Sequence, residues 1–406
     1  MVDSTIQKIR QMALRVVQKA ASVENRERRE RWRRHNDLQK TVPPVLVRVW
    51  VAAFELIGWS TAADPLQRQI ENHLKWTCFN IDLDDDHVFE PWIALPAVFE
   101  REPLFGLAPE YQFAPSGGAY VHHRLIHVLQ DVEKITTPDV RIDEPHTREL
   151  KERAEEMLDG ILDVRINRLR LPFVNLAYHA ESFLGMGNFL IALVEEPQLI
   201  HALMARLRDA YLDYYRTAEK ANHLQTNSHG GGNSNRIPLF TDQLPKADFN
   251  EDHVRLRDLW MFSDTQELGS ASPAMVEEFF LNYHLPILAL FGRVSFGCCE
   301  SHHRKWHLIR RIPNLARVSV SPWTSLAEAV KEMGNRVVLN WRVNNMKVVT
   351  ESSPRKMREE IAEGLKITGD CPMEVVLQDV ETVYGKKDLL STWVKIARAE
   401  TEGIRV

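Results

Sequence analysis

The 406-residue chain is 44% apolar and 26% charged, which excludes a disordered polymer and leaves room for one large domain or two ordinary ones. A formal net charge of -5, with no basic stripe through the main body, argues against a nucleic-acid partner. The sequence holds no apolar run long enough to span a bilayer and no apolar segment behind its N-terminal charges, so neither a membrane span nor a secretory leader is expected. The four cysteines (Cys78, Cys298, Cys299, Cys371) are too few to staple a chain of this size, and a reducing cytoplasm is the expected compartment.

Residues 3–40 read as helical, and the mixed-charge run from Glu24 to His35 reads as a solvated helix laced with i,i+4 pairs. Pro43 and Pro44 end it, and Val45 to Trp50 reads as a strand. Residues 51–86 are helical and close in Asp82, Asp84, Asp85 and Asp86, which lack the offsets of a calcium loop and read as a solvated turn. His87 to Leu95 is the next strand candidate. Residues 100–150 read as irregular, with Ser116-Gly-Gly-Ala-Tyr-Val-His-His inside; no phosphate loop follows Gly117 and Gly118, while His122 and His123 are candidates for a pocket.

From there the pattern is regular. Helix Thr147 to Leu162 precedes a strand at Leu171, helices follow from Gly185 and Glu196, and His223 opens a strand that ends in Gly230, Gly231 and Gly232. A helix from Ser272 to Phe291 leads into a strand from Arg293 to Cys298. Strands near 317, 336 and 373 alternate with helices at 325–333, 354–365 and 387–402. Strand candidates beginning near 45, 88, 171, 223, 293, 317, 336 and 373 alternate with helices, which predicts a parallel sheet closed into a (β/α)8 TIM barrel, residues 43–406, behind an N-terminal helical extension, residues 1–42.

Chemistry in such a barrel sits at the C-terminal ends of the strands. Arg293 to His303 delivers Cys298, Cys299 and Glu300 there, with His302 and His303 just beyond. Thiolate, imidazole and carboxylate are zinc ligands. Cys298 and Glu300 share one face of a strand, and a turn would bring Cys299 to the same ion. The bland alternative is two buried thiols filling the barrel mouth. His229, beside its glycines, and Asp264 are further candidates for the chemistry, and Trp260, Trp323 and Asn344 for the walls of a substrate pocket.

Leu171-Pro-Phe-Val, Gly185, Leu193-Val-Glu-Glu-Pro197 with His201 and Leu203, Ser272-Pro-Ala-Met-Val-Glu-Glu-Phe, and Ile312-Pro-Asn-Leu leading to Trp323 together resemble the uroporphyrinogen decarboxylase superfamily. Phe296-Gly-Cys-Cys-Glu300 and Arg31-Trp-Arg-Arg-His-Asn36 resemble its branch related to corrinoid-dependent methyltransferases. That branch binds zinc through His-x-Cys on the fifth strand and Cys on the eighth. The resemblance implies Cys298, Cys299 and Glu300 as ligands, with Asp379 near the place of the missing eighth-strand cysteine. It implies a zinc-dependent methyltransferase moving a methyl group between a small methylated substrate, a methoxy compound or thiol, and a corrinoid. The chain has no Asp-x-His-x-x-Gly element, so the corrinoid (cobalamin) is expected on a separate partner protein. A homodimer is also among the family's habits.

Two other readings stay open. A metal-free decarboxylase of a porphyrinogen-like or smaller acid would use Arg48, His122, His123 and Arg342 at the mouth, although the Arg-Gln-Ala-Gly-Arg element of true uroporphyrinogen decarboxylases is absent. A non-catalytic corrinoid or small-molecule binding barrel would tolerate loss of Cys298 and Cys299.

Overall fold

The computed structural model describes residues 4–100, 103–113, 120–231 and 237–403. Gly117, Gly118 and Gly232 lie outside these. Among the described residues, eleven strands run in chain order: β1 Val45–Arg48, β2 Trp92–Pro96, β3 Tyr111–Phe113, β4 Tyr120–His122, β5 Asp163–Asn167, β6 Phe173–Val174, β7 Trp260–Ser263, β8 Arg293–Phe296, β9 Leu315–Val320, β10 Val338–Arg342 and β11 Met373–Gln378. Seven of them form one parallel sheet in the order β1-β11-β10-β9-β8-β7-β6, with helices between successive strands.

This seven-stranded parallel sheet with its connecting helices is an α/β fold consistent with a (β/α)-barrel-like architecture, its ladder open, among the described residues, between β1 and β6. This corrects the expectation of eight strands in a closed ring. The segment near 88 becomes a strand only from Trp92, and β2 pairs with β5 in a two-stranded parallel sheet of its own. The segment from His223 forms no strand among the described residues, and β7 takes that place in the wall. The irregular stretch from 100 to 150 contains the antiparallel hairpin β3–β4.

The open edge of β1 has a local cause. Its amides at Val45 and Val47 donate to the carboxylates of Asp86 and Asp85, both at 2.8 Å. Two acids thus take the hydrogen bonds that a neighbouring strand would otherwise supply. Asp82 and Asp84 are exposed, as a solvated turn requires, but Asp85 and Asp86 are buried, which corrects that reading for these two.

Residues alternate between two faces of the wall. Val45 and Val47 of β1, Val294 of β8, Val318 of β9, Leu339 of β10 and Val375 of β11 belong to the large apolar core. The alternate positions carry a polar interior: Arg317 of β9, Asn340 of β10 and Glu374 of β11 are buried and mutually bonded. The helix Val23–Asn36 closes this interior at the N-terminal end of the strands. Trp32 packs with Leu46 and Val376, and Asn36 accepts a hydrogen bond from Arg317 at 2.6 Å. The arginine-rich helix is therefore solvated on one face only, since Arg28, Trp32, His35 and Asn36 are buried. No helix among the described residues is long and apolar enough to cross a membrane.

Candidate active site

β8 ends at Phe296, and Gly297 then turns the chain with φ +96°. That conformation favours glycine, and a Cβ here would come 2.5 Å from His302 Nε2. The turn throws Cys298 and Cys299 out over the mouth, half-buried and exposed respectively, with their sulfurs 3.5 Å apart. Cys299 Sγ lies 3.3 Å from Asp379 Oδ2. Asp379 follows β11 with φ +57°, and its carboxylate accepts a hydrogen bond from Gln378 at 3.2 Å.

Arg342, the last residue of β10, stands at the centre of this group. Its guanidinium lies 3.8 Å from Cys298 Sγ and 3.7 Å from Cys299 Sγ, and it also donates to Ser319 at 3.2 Å. Its Nε reaches Asn340, so the buried network around Glu374 connects to the mouth. Arg48, from β1, donates to Gln378 on the same rim. Burial, with Arg342 nearby, pulls the Arg48 pKa down to about 9. The hydrogen bond from Cys299, aided by the charge of Arg342, outweighs burial and brings Cys298 down to about 7. Cys299 is pushed up by that same hydrogen bond and by burial.

Glu300 turns inward, away from the sulfurs. Its carboxylate accepts the amide of Cys298 at 2.8 Å and that of Thr265 at 3.0 Å. Burial opposes its charge, yet His302 and these amides hold its pKa below the ordinary carboxylate value. The residue fixes the turn that presents the cysteines. Asp264 and Glu267 sit beside it, both bonded to Asn175. Burial first, then the charges of Glu300, Cys298 and Glu267, raise Asp264 well above the usual range.

The other expected residues go elsewhere. His229 and Trp260 line a cavity in the barrel wall, and Trp260 is at the N-terminal end of β7, opposite the mouth. Gly230 gives the chain room for itself: a Cβ there would meet the Val88 carbonyl at 2.5 Å. His122 sits on the β3–β4 hairpin, 3.4 Å from Glu181, and the adjacent His123 amide donates to Glu110. Trp323 is 71% exposed and offers its carbonyl to Ser301. Asn344 caps the helix Asn345–Glu351, and its neighbour Asn345 reaches the Asp379 carbonyl instead. Gln378 and Ser319 are the mouth residues that the sequence reading missed; Arg48 and Arg342 were expected at the mouth under the decarboxylase reading. A charged or polar side chain in an otherwise apolar strand was the available signal.

Two thiols and a carboxylate are donors of the type zinc takes. Among the described residues, however, no three His, Cys, Asp or Glu side chains gather around one point. Glu300 faces inward, and the Arg342 cation occupies the neighbourhood of both sulfurs. The side chains suit zinc in type and fall short of it in arrangement.

No family model matches this chain, and no curated protein does. Among solved structures it is similar to a methyltransferase from Methanosarcina mazei, with 12% sequence identity and a TM-score of 0.54 over 93% of this chain and 98% of that one. At that identity the likeness is one of fold, and it extends over nearly the whole of both chains.

Proposed function

We propose that this chain is a methyltransferase, moving a methyl group between a small methylated substrate, a methoxy compound or a thiol, and a corrinoid carried by a separate protein. The observation that carries this reading is the pair Cys298 and Cys299, side by side at the end of β8 with Arg342 and Asp379 around them. The fold shared with a protein named as a methyltransferase supports it. Glu300 and Gly297 hold the cysteine turn, and Asp264, buried beside it, stands as the candidate proton donor to a departing oxygen. Zinc, which the resemblance implies, has donors of its type in Cys298, Cys299 and Asp379 but no assembled site among the described residues, so no step of the proposal runs through it.

Arg48 and Arg342 at one rim favour a second reading, an acidic substrate that loses carbon dioxide without a metal. One assay separates the two. Reduced cobalamin is incubated with methoxylated aromatic and methylthiol probes and the wild-type chain or Cys298→Ser/Cys299→Ser. Methyl-cobalamin formation seen spectroscopically, and reduced at least about a hundredfold in the variant, is the expected result. No methyl transfer, with carbon dioxide released from carboxylated probes, would install the decarboxylase reading. No turnover of either would leave a binding barrel.

A further inference from the structure

The four cysteines occupy very different settings. Cys78 is buried in the helix Pro65–Leu83, its sulfur 3.8 Å from the Met12 carbonyl. Cys371 is half-buried and precedes β11, at the end of the sheet opposite the mouth. Cys298 and Cys299 stand together at the mouth, and Cys299 is exposed to solvent.

The pair is arranged to react with itself. Its sulfurs are 3.5 Å apart, so closing them to an S–S bond of about 2 Å takes a movement of about 1.5 Å. The turn beneath them is fixed: Glu300 accepts the Cys298 amide at 2.8 Å, and Gly297 donates its amide to the Ser263 carbonyl at 2.8 Å. Arg342 lies 3.8 Å from the Cys298 sulfur and 3.7 Å from that of Cys299, a cation beside any negative charge that develops there. Asp379 Oδ2, 3.3 Å from Cys299 Sγ, is placed to take the proton that Cys299 sheds. An accessible sulfur with a second thiol beside it to resolve the product is the setting in which peroxides oxidise cysteine reversibly.

We propose that Cys298 and Cys299 form a reversible oxidation site for hydroperoxides, Cys298 taking the oxygen and Cys299 resolving it to a disulfide within the turn. In the first step the Cys298 sulfur attacks one oxygen of hydrogen peroxide and the O–O bond breaks. Hydroxide leaves beside Arg342 and becomes water with the proton lost from Cys298, which is now a sulfenic acid. In the second step the Cys299 sulfur attacks the sulfenic sulfur and the S–O bond breaks. The hydroxyl departs as water with the Cys299 proton, relayed by Asp379. Two thiols and one hydrogen peroxide thus give one disulfide and two waters. The new bond closes a small ring around the Cys298–Cys299 peptide group, which resists leaving its plane, so thiols reduce it readily. While it lasts, it withdraws both sulfurs from the chemistry of the mouth.

The proposal goes beyond the methyl-transfer reading and does not rest on it, because its readout is thiol content and mass. The full chain is reduced, passed through chelator, freed of reductant and treated with a few equivalents of hydrogen peroxide. Two of its four thiols should be lost, the intact mass should fall by two hydrogen atoms, and the link should map to the peptide holding residues 298 and 299. Dithiothreitol should restore both thiols. Loss of the pair should run at least roughly tenfold faster than oxidation of Cys371. In Cys299→Ser the reaction should stop at a sulfenic acid on Cys298, trapped by dimedone. A pair that stays reduced in the folded chain, oxidation no faster than at Cys371, or sulfinic acid in place of the internal bond would each overturn the assignment. None of these outcomes bears on whether methyl transfer is observed.

Discussion

Asp86 does for Val45 what a neighbouring strand would do: its carboxylate accepts the Val45 amide at 2.8 Å, and its own amide donates to the Val45 carbonyl at 2.9 Å. The same carboxylate meets Arg31 at 3.2 Å and Arg398 at 3.1 Å. Replacing it by alanine strands a buried amide and leaves two guanidinium groups without their shared acid. Asp86→Ala is expected to lose about 3–5 kcal/mol of stability, read as a lower denaturant midpoint. Asp86→Asn keeps one acceptor and should lie between the two. A midpoint within error of the wild type would show that water replaces the acid.

Gly297 sets a second expectation. A methyl group at φ +96° is strained on its own account, and here it also meets the His302 ring at 2.5 Å. Gly297→Ala should cost about 2–4 kcal/mol and displace the turn that carries Cys298 and Cys299. Methyl transfer should therefore fall further than the loss of folded protein explains. Chemical denaturation and the cobalamin assay on the same preparation compare the two.

Stability should fall on the acid side of neutrality. Leu176 donates its amide to His284 Nε2 at 3.1 Å, and Nδ1 lies 3.3 Å from the Phe280 carbonyl, so the buried ring is held neutral. Burial pushes its pKa down from 6.5 to about 3. Burial does the same to His179, and burial with Arg317 and Arg31 does so to His35. Between pH 6.5 and 3 each of these three histidines holds a proton in the unfolded chain that it lacks in the folded one, so the stability it contributes drops as pH drops, while the buried carboxyls of Asp264, Glu267 and Glu374, raised first by burial, contribute in the opposite sense. Each histidine adds a slope of about 1.4 kcal/mol per pH unit. Denaturant midpoints measured from pH 7 to 4.5 test this, and His284→Gln should shed one proton's worth of slope. A His284→Gln profile parallel to the wild type over that range would contradict it.

Metal content tests the arrangement directly. With no assembled donor set among the described residues and Arg342 beside both sulfurs, protein purified without chelator is expected to carry well under one zinc per chain, and no more after zinc has been offered. Close to one zinc per chain, lost in Cys298→Ser/Cys299→Ser, would show that the pair gathers a metal by displacing Arg342.

The strands easiest to foresee were β1 and β8 to β11, whose residues are buried on both faces and so read as apolar runs. β7 has only four residues between Asp258 and Asp264, too few for a period to show. The stretch from His223 looked extended for a reason: the Asn227 side chain pairs with both the amide and the carbonyl of Trp260, imitating a strand with one amide group. The cysteine run was legible because it is contiguous. Of its setting, Arg48, Arg342 and Asp379 were named from sequence, but under two different readings, because they come from three separate strand ends; Gln378 and Ser319 were not named. Nor does an acidic run announce whether water or a strand's amides will receive it, and Asp85 and Asp86 met amides.

The bond between Asp86 and Arg398 also constrains how the chain can mature. During synthesis Asp86 precedes Arg398 by 312 residues. Until the helix Leu389–Glu402 arrives, the nascent barrel holds its first strand against an acid that lacks one of its cations. A ribosome-bound chain that stops before residue 389 should therefore hold its first strand less firmly than one that includes this helix.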